Sequence, residues 1–303
     1  MLAREGILLP MNTLSVERKA MILAALVEGA SVRAAGRIAG AAKGTVLKLL
    51  AEVGTACFDF QRKAFVNLPC KRLEVDEIWS FVGAKAANTH PTLRKTGTRG
   101  DVWTWTAICA DSKLIPCWLV GPRNARSAHT FMLDVASRMA GRIQLTTDGL
   151  SLYLSAVEQA FGWNGADYAQ LIKQYGKDPS EGAAHRYSPP VCTGALKEPI
   201  FGLPNEALIS TSYAERANLT IRMQNRRYTR LTNAFSKTVA NHGHSFALSM
   251  MHYNFCRAHQ TLTRNAKGIH TTPAMAAGVT DRVWSLLDVL ALVSRPVPEQ
   301  AAA

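Results

Sequence analysis

The stretch RLEVDEIWSFVG (residues 72–83) has the clearest strand pattern in the chain, and it decides the fold. It is rich in Val, Ile, Trp and Phe, which favour β-structure. Asp76 lies in its middle and shares a strand face with Glu74 and Ile78, while Glu77 points to the opposite face. A carboxylate inside a buried strand is costly unless it is paired or binds a metal ion. Asp76 is therefore the first candidate functional residue.

The segments that follow this strand predict a layered α/β domain. Residues 102–121 have the pattern of a hairpin of two buried strands. Beyond it we predict a helix at 128–140, a strand at 143–148, a helix at 150–161 and a strand at 167–176. Three strands followed by alternating helices and strands indicate a mixed sheet flanked by helices, in the element order of a ribonuclease-H-like fold.

The first fifty residues predict a small all-α domain. Helical stripes and glycines place short helices at 14–28, 31–40 and 42–54, with Gly54 ending the third. This pattern is typical of a helix-turn-helix, whose last helix lies in the major groove of DNA. Lys43, Thr45 and Lys48 lie near the exposed start of that helix and are the candidate DNA-binding residues. A helical cap with solvated lysines is the alternative.

These patterns divide the chain into four regions. We predict a helix-turn-helix domain at 11–57, a connector at 58–70, a ribonuclease-H-like catalytic domain at 71–260 and a C-terminal tail at 261–303. A run rich in Gly and Pro, 177–205, predicts an insertion in the catalytic domain.

The charge of the chain points to a polyanionic partner. It has 35 Lys and Arg against 22 Asp and Glu, a net charge of +13 over 303 residues. Such an excess favours nucleic acid. A membrane partner is disfavoured, because the best apolar run, 283–293, is too short to span and contains Asp288. The six cysteines form no CxxC pair, which predicts neither a disulfide framework nor a zinc ribbon and fits a cytoplasmic setting.

Two further carboxylates occupy positions that favour chemistry. Asp148 directly follows the strand ending at Thr147, and Glu215 lies near the start of a later helix. Strand carboxyl ends are where ligands gather in open α/β sheets. If Asp76, Asp148 and Glu215 converge, their like charges require cations, and carboxylate oxygens suit Mg²⁺ or Mn²⁺. Taken singly, each has an ordinary alternative as a turn or N-cap residue, an ion-pair partner or a helix-dipole acid.

The helix that begins near Glu215 is basic. Between residues 216 and 280 there are nine Lys and Arg and no Asp or Glu. Asn218, Arg222 and Arg226 follow Glu215 at i+3, i+7 and i+11, on roughly one helical face. A solvated face would normally interleave acids, whereas a DNA backbone laid across the site explains both the arginines and the missing acids.

Four stretches carry a family resemblance. VDEIWSFVG, TTDGLSLYL, SYAERANLTIRMQNRRYTRLTNAFSKT and HYNFCRAHQTL resemble, in that order, the motif blocks of bacterial DDE transposases, most closely those grouped with insertion sequence one. Residues 12–50 resemble the DNA-binding helices of the same family, so the likeness covers roughly residues 12–275. It suggests Met11 as the natural start.

The resemblance implies a function and a site. Asp76, Asp148 and Glu215 would form the Asp/Asp/Glu triad that holds two Mg²⁺ or Mn²⁺ ions, and Arg222 would be the basic residue seven positions after the glutamate. The implied reaction is cleavage at the ends of an insertion element, followed by joining of the 3′-OH to target DNA. The implied partners are double-stranded DNA, as terminal inverted repeats and as target, and further copies of the chain on that DNA. The implied location is the bacterial cytoplasm, at the nucleoid.

The sequence departs from that family in two respects and leaves other functions open. It lacks the amino-terminal cysteine zinc ribbon of some relatives, and Asp148 and Glu215 are separated by 67 positions, a long step. One alternative is a ribonuclease-H-like nuclease for structured nucleic acid, and a second is a non-catalytic helix-turn-helix regulator. A third is a zinc protein, for which the candidate ligands His242, His244, His252, Cys256 and His259 lack regular tetrahedral spacing.

Overall fold

The computed structural model describes residues 14–176 and 191–294. Its helices are α1 (Val16–Val27), α2 (Val32–Ile38), α3 (Lys43–Ala64), α4 (Pro91–Lys95), α5 (Ala125–Arg138), α6 (Leu152–Gly165), α7 (Ser212–Gln224), α8 (Val239–Met251), α9 (Gln260–Asn265), α10 (Pro273–Ala276) and α11 (Leu286–Ser294). Its strands are β1 (Arg72–Val82), β2 (Gly100–Cys109), β3 (Trp118–Gly121), β4 (Ile143–Asp148), β5 (Ala166–Gly176) and β6 (Val191–Phe201). Met11 and its suggested role as the start lie outside the described residues.

The strands form one mixed sheet in the order β3-β2-β1-β4-β5-β6. β1 pairs antiparallel with β2 and parallel with β4, and β4 pairs parallel with β5. β1 is central and buried along most of its length, because its Val, Ile and Leu side chains face helices on both sides. The predicted α/β architecture, a mixed sheet flanked by helices, is confirmed.

Helices cover both faces of the sheet. On one face Trp105 of β2 packs against Phe131 of α5 and Tyr153 of α6. On the other face β1 contacts α7 and α8: Asn218 donates a hydrogen bond to Asp76, and Ser80 hydrogen-bonds His242 at 3.0 Å. The alternation of β1 thus sends the side chains of Asp76 and its neighbours Glu74 and Ser80 toward α7 and α8.

The three N-terminal helices have the predicted order, but the prediction that Gly54 ends the third is wrong. α3 continues to Ala64, so residues 58–64 of the predicted connector are helical. Gly54 is buried against α8, where an added Cβ would lie 2.6 Å from the Cβ of His244. The glycine therefore permits close helix packing rather than a helix end.

Two predicted regions outside the predicted strands contain regular structure. The predicted insertion, 177–205, contains β6, which pairs antiparallel with β5 and extends the sheet; residues 177–190 lie outside the described part. The predicted C-terminal tail contains α11, whose Val289 and Leu290 are buried in the same apolar cluster as Ile22 of α1. The N-terminal helices and the sheet region share this continuous core. No helix within 14–176 or 191–294 combines the length and apolar character needed to cross a membrane.

Candidate metal centre

Glu74 of β1 fixes α7 against the sheet. Its Oε2 accepts hydrogen bonds from the backbone N–H groups of Tyr213 (2.7 Å) and Ala214 (3.0 Å), in the first turn of α7. Burial raises the pKa of Glu74, and these two hydrogen bonds oppose the rise. The carboxylate satisfies N–H groups that the helix cannot pair internally. Glu74 therefore positions α7, and with it Glu215 and Asn218, above β1.

Asp76 lies where β1 and β4 meet. The parallel pairing ends at Val75 and Thr147, so Asp76 and Asp148 are the next residues on adjacent strands. Asp76 accepts hydrogen bonds from the backbone N–H of Glu77 (2.7 Å) and from Nδ2 of Asn218 (2.8 Å). Burial, followed by the charges of Asp148 and Glu215, raises the pKa of Asp76 to about 6. The nearby carboxylates of Asp148 and Glu215 thus disfavour the ionised form of Asp76.

Glu77 is a site residue that the sequence analysis missed. Carboxylate oxygens of Asp76, Glu77 and Asp148 all lie within 4.8 Å of one another. Although Glu77 leaves the opposite face of β1, its side chain reaches Asp148 because β4 ends here and leaves space beside β1. Burial and the charge of Asp148 raise the pKa of Glu77 to about 7. Its Oε2 accepts a 3.3 Å hydrogen bond from Arg123, and its buried Oε1 has no hydrogen-bond partner among the described residues.

Glu215 lines the same cavity as Asp76 and Asp148, which has a volume of about 560 Å³. Its carboxylate forms an ion pair with Lys173 of β5 (2.5 Å) and accepts a hydrogen bond from Thr211 (2.7 Å). The structure therefore places the three predicted acids around one cavity. The tight oxygen cluster, however, contains Glu77 and not Glu215.

The other residues predicted on the face of Glu215 have different environments. Asn218 is buried with its amide on Asp76, and its Oδ1 has no partner among the described residues. Arg222 is half-buried, and burial and the charge of Arg230 lower its pKa while Asp76 opposes the shift. The prediction that Arg226 lies on the same helix is wrong, because α7 ends at Gln224 and the backbone turns extended at Asn225.

The DNA-binding candidates of α3 lie on its exposed first turns. Lys43, Thr45 and Lys48 are all exposed. Lys237, which precedes α8, has a lowered pKa because of partial burial and the nearby positive charges of Lys43, Arg33 and Arg99. A positively charged surface therefore continues from α2 and α3 to the segment before α8.

Two cationic side chains of the cavity were likewise not predicted from the sequence. Arg123 and Lys173 line it, and they bind Glu77 and Glu215 respectively. No pattern in the sequence could have identified them, because their proximity depends on the register of β5 beside β4 and on the segment before α5. Each offsets part of the negative charge without removing the cluster of three carboxylates.

These residues fit a hard divalent cation. Three carboxylates within 4.8 Å of one another offer oxygen ligands, and the buried Oε1 of Glu77 makes no hydrogen bond within the described residues, although the Tyr153 hydroxyl lies beside Glu77 and lowers its pKa. Mg²⁺, Mn²⁺ and Ca²⁺ prefer such ligands. Across residues 14–176 and 191–294 this is the one group of three or more His, Cys, Asp and Glu side chains with metal-binding spacing, and it includes none of the proposed zinc ligands.

Comparison with known protein families and with curated proteins finds no match to this chain.

Proposed function

We propose that this protein is a DDE-type DNA transposase with a ribonuclease-H-like core and a helix-turn-helix formed by α1, α2 and α3. One observation carries the proposal: acids from the centre of the sheet, the end of β4 and the start of α7 surround one open cavity. The sheet order, with β1 between an antiparallel and a parallel neighbour, is compatible with this core. The basic surface from α3 to the segment before α8 supports DNA as the partner.

In this proposal the residues of the cavity have separate roles. Asp76 and Asp148 would hold Mg²⁺ or Mn²⁺ ions, and Glu77 or Glu215 would complete the ligand set. When bound, such ions stabilise the charge that develops in phosphoryl transfer and lower the pKa of water. Lys173 pairs with Glu215 and holds its carboxylate at the cavity, where it would be available to a cation. The charge of Asp76 acts on the pKa of Arg222, so the two side chains are close. Arg222 would bind the DNA phosphate next to the scissile bond.

The proposal is tested by a Mg²⁺-dependent cleavage assay on DNA that carries the inverted repeats flanking the gene. Asp76→Asn, Asp148→Asn and Glu215→Gln are expected to abolish strand cleavage and joining while DNA binding persists. Asp59→Asn, an exposed acid on α3, is the matched control and is expected to cleave normally. A triad variant that still cuts at the wild-type rate would refute the assignment of that residue.

Three further outcomes separate the alternatives. Loss of activity in Glu77→Gln, with activity retained in Glu215→Gln, would make Glu77 the third ligand. Cleavage without any joining product would indicate a ribonuclease-H-like nuclease, and binding of the repeats without cleavage would indicate a non-catalytic regulator. Copies of the chain assembled on DNA, as proposed, would appear as complexes larger than one chain per duplex. DNA as substrate would place this activity at the nucleoid.

A further inference from the structure

A second cavity lies on the other side of α7 and has a positive lining. It has a volume of about 270 Å³ and lies between α7, the loop after β2 and the segment that leads into α9. Its charged and polar lining includes Lys113, Arg216, Arg257 and His259, and no Asp or Glu lines it. Tyr213, Arg216 and Thr220 project from the helical face roughly opposite to that of Glu215 and Asn218.

Lys113 is a buried cation held in place by the fold. The residue is only 6% exposed and has a left-handed backbone, with φ of 61°. The hydroxyl of Tyr253 donates a 3.0 Å hydrogen bond to the Lys113 carbonyl oxygen, which fixes this conformation. Its ammonium donates to the Ala110 carbonyl oxygen and lies 3.4 Å from the centre of the Tyr213 ring. A buried ammonium with no carboxylate at ion-pair distance is costly, so a nearby anion would stabilise it.

The remaining cations of this cavity are also unpaired. Within the described part of the chain, no carboxylate lies within ion-pair distance of Lys113, Arg216 or Arg257. The charge of Lys113 does reach Glu74, but that carboxylate is bonded to the N–H groups of α7. The backbone N–H groups of Tyr213 and Ala214 at the start of α7 are therefore already hydrogen-bonded, and the positive charge of the cavity comes from side chains.

His259 adds a polar side chain to the lining of this cavity. Its Nδ1 is buried and has no hydrogen-bond partner among the described residues. Its backbone N–H donates to the Thr271 carbonyl oxygen (2.9 Å), which holds the residue at the cavity. Burial and the charges of Lys113, Arg257 and Arg216 lower the pKa of His259. An anion in the cavity would accept a hydrogen bond from Nδ1 and offset the three positive charges.

We propose that this cavity binds a phosphate group of a DNA strand, at a position separate from the acidic cavity across α7. A phosphate supplies several acceptor oxygens for the two arginines, Lys113 and His259 together. The choice of DNA as the source of the phosphate rests on the proposed function, whereas the binding of phosphate itself does not. Residues 252–262 would then contact the DNA at a position distant from the cleavage site.

The test uses the full chain, two probes and a matched control. Arg257→Gln alters the cavity and keeps the His259 imidazole, whereas Arg264→Gln removes an exposed arginine of α9 that does not line the cavity. Inorganic phosphate is titrated while the imidazole signals of His259 are followed by NMR. The affinity for a DNA duplex is measured over a range of salt concentrations. We expect Arg257→Gln, but not Arg264→Gln, to reduce the slope of log affinity against log salt by about 1.

Each outcome decides the proposal. A saturable shift of the His259 signals by phosphate, lost in Arg257→Gln, together with the reduced DNA slope, supports it. Phosphate binding with an unchanged DNA slope overturns the DNA assignment and leaves a site for free phosphate. Equal slope losses in Arg257→Gln and Arg264→Gln, or no response to either probe, overturn the cavity as a specific site. Because none of these readouts needs cleavage, a failure of the transposase proposal would be seen separately in the cleavage assay.

Discussion

Replacing Asp76 by Asn should make the metal-free protein more stable at neutral and alkaline pH. The pKa of Asp76 is raised from 3.8 to about 6, because burial and the neighbouring carboxylates oppose its charge. Asparagine has nearly the same shape but no charge. Its amide nitrogen can face Asn218 once the Asn218 amide rotates, because the Oδ1 of Asn218 is unpaired and can then accept a hydrogen bond.

The magnitude follows from the shift in pKa. A rise of about two pKa units corresponds to about 3 kcal/mol of destabilisation when the carboxylate is ionised. Because the folded-state pKa is raised, this penalty is absent below the unfolded pKa, near pH 4. It grows as the pH increases and is complete above the folded pKa, near pH 6 to 7. For a chain of this size we expect Asp76→Asn to raise Tm by about 5 °C at pH 8.

The assay is thermal unfolding in EDTA at several values of pH between 4 and 8, repeated with Mg²⁺. Without metal, the difference in Tm between Asp76→Asn and the wild type should vanish near pH 4 and increase toward pH 8. With Mg²⁺, the wild type should gain stability and the variant much less, because a cation binds the folded state through this carboxylate. Asp59→Asn changes the net charge equally at an exposed site and controls for the charge of the whole chain.

A variant that is less stable than the wild type at pH 8 in EDTA would refute this reasoning. So would a difference in Tm that stays constant between pH 4 and pH 8. Either result would mean that the cavity does not oppose the ionisation of Asp76, and the cluster of carboxylates would then need no cation.

Two further predictions concern α7 and α3. Arg222→Ala should weaken DNA binding and reduce the slope of log affinity against log salt by about 1, because the half-buried guanidinium near Asp76 would contact one phosphate. Filter binding at several salt concentrations measures this slope. An unchanged slope would exclude the contact. Gly54→Ala should destabilise the protein by about 1–3 kcal/mol, because its Cβ would meet the backbone and side chain of His244 at 2.6–2.7 Å. Gly44→Ala is the matched change in the first turn of α3, where a Cβ meets nothing within 4 Å, and urea denaturation should show it to be neutral or stabilising.

The sequence predicts most elements of the sheet region, because their patterns are local. β4 has the predicted bounds, 143–148, and β1 and β5 lie within one residue of theirs. Helix caps are local as well: Ser31 accepts a hydrogen bond from the backbone N–H of Ala34 at the start of α2. Strands with alternating or continuous apolar residues and helices with side-chain caps are thus readable without tertiary information.

The parts that the sequence does not predict depend on contacts between distant segments. A glycine after a helical stripe, such as Gly54, is typical of a helix end. Here, however, the close approach of α8 is what requires the glycine. β6 lies within the run rich in Gly and Pro, and its strand structure depends on pairing with β5.

The candidate site shows the same division. Asp76, Asp148 and Glu215 could be predicted from strand and helix positions, and the structure brings them to one cavity. The entry of Glu77 into the oxygen cluster could not be predicted, because it depends on the point at which β4 stops beside β1. The ion pair of Glu215 with Lys173 likewise depends on the register of β5.

The continuity of α3 has a mechanical consequence. The helix has 22 residues and thus a length of about 33 Å, and it presents Lys43 at its exposed start while its later turns are anchored on α8. No bend or loop interrupts it between Lys43 and Ala64. If Lys43 and Lys48 bind DNA as proposed, the continuous helix α3 would fix the distance between the recognised sequence and the cleavage site. The number of base pairs between them would then be constant, whereas a flexible linker would allow it to vary.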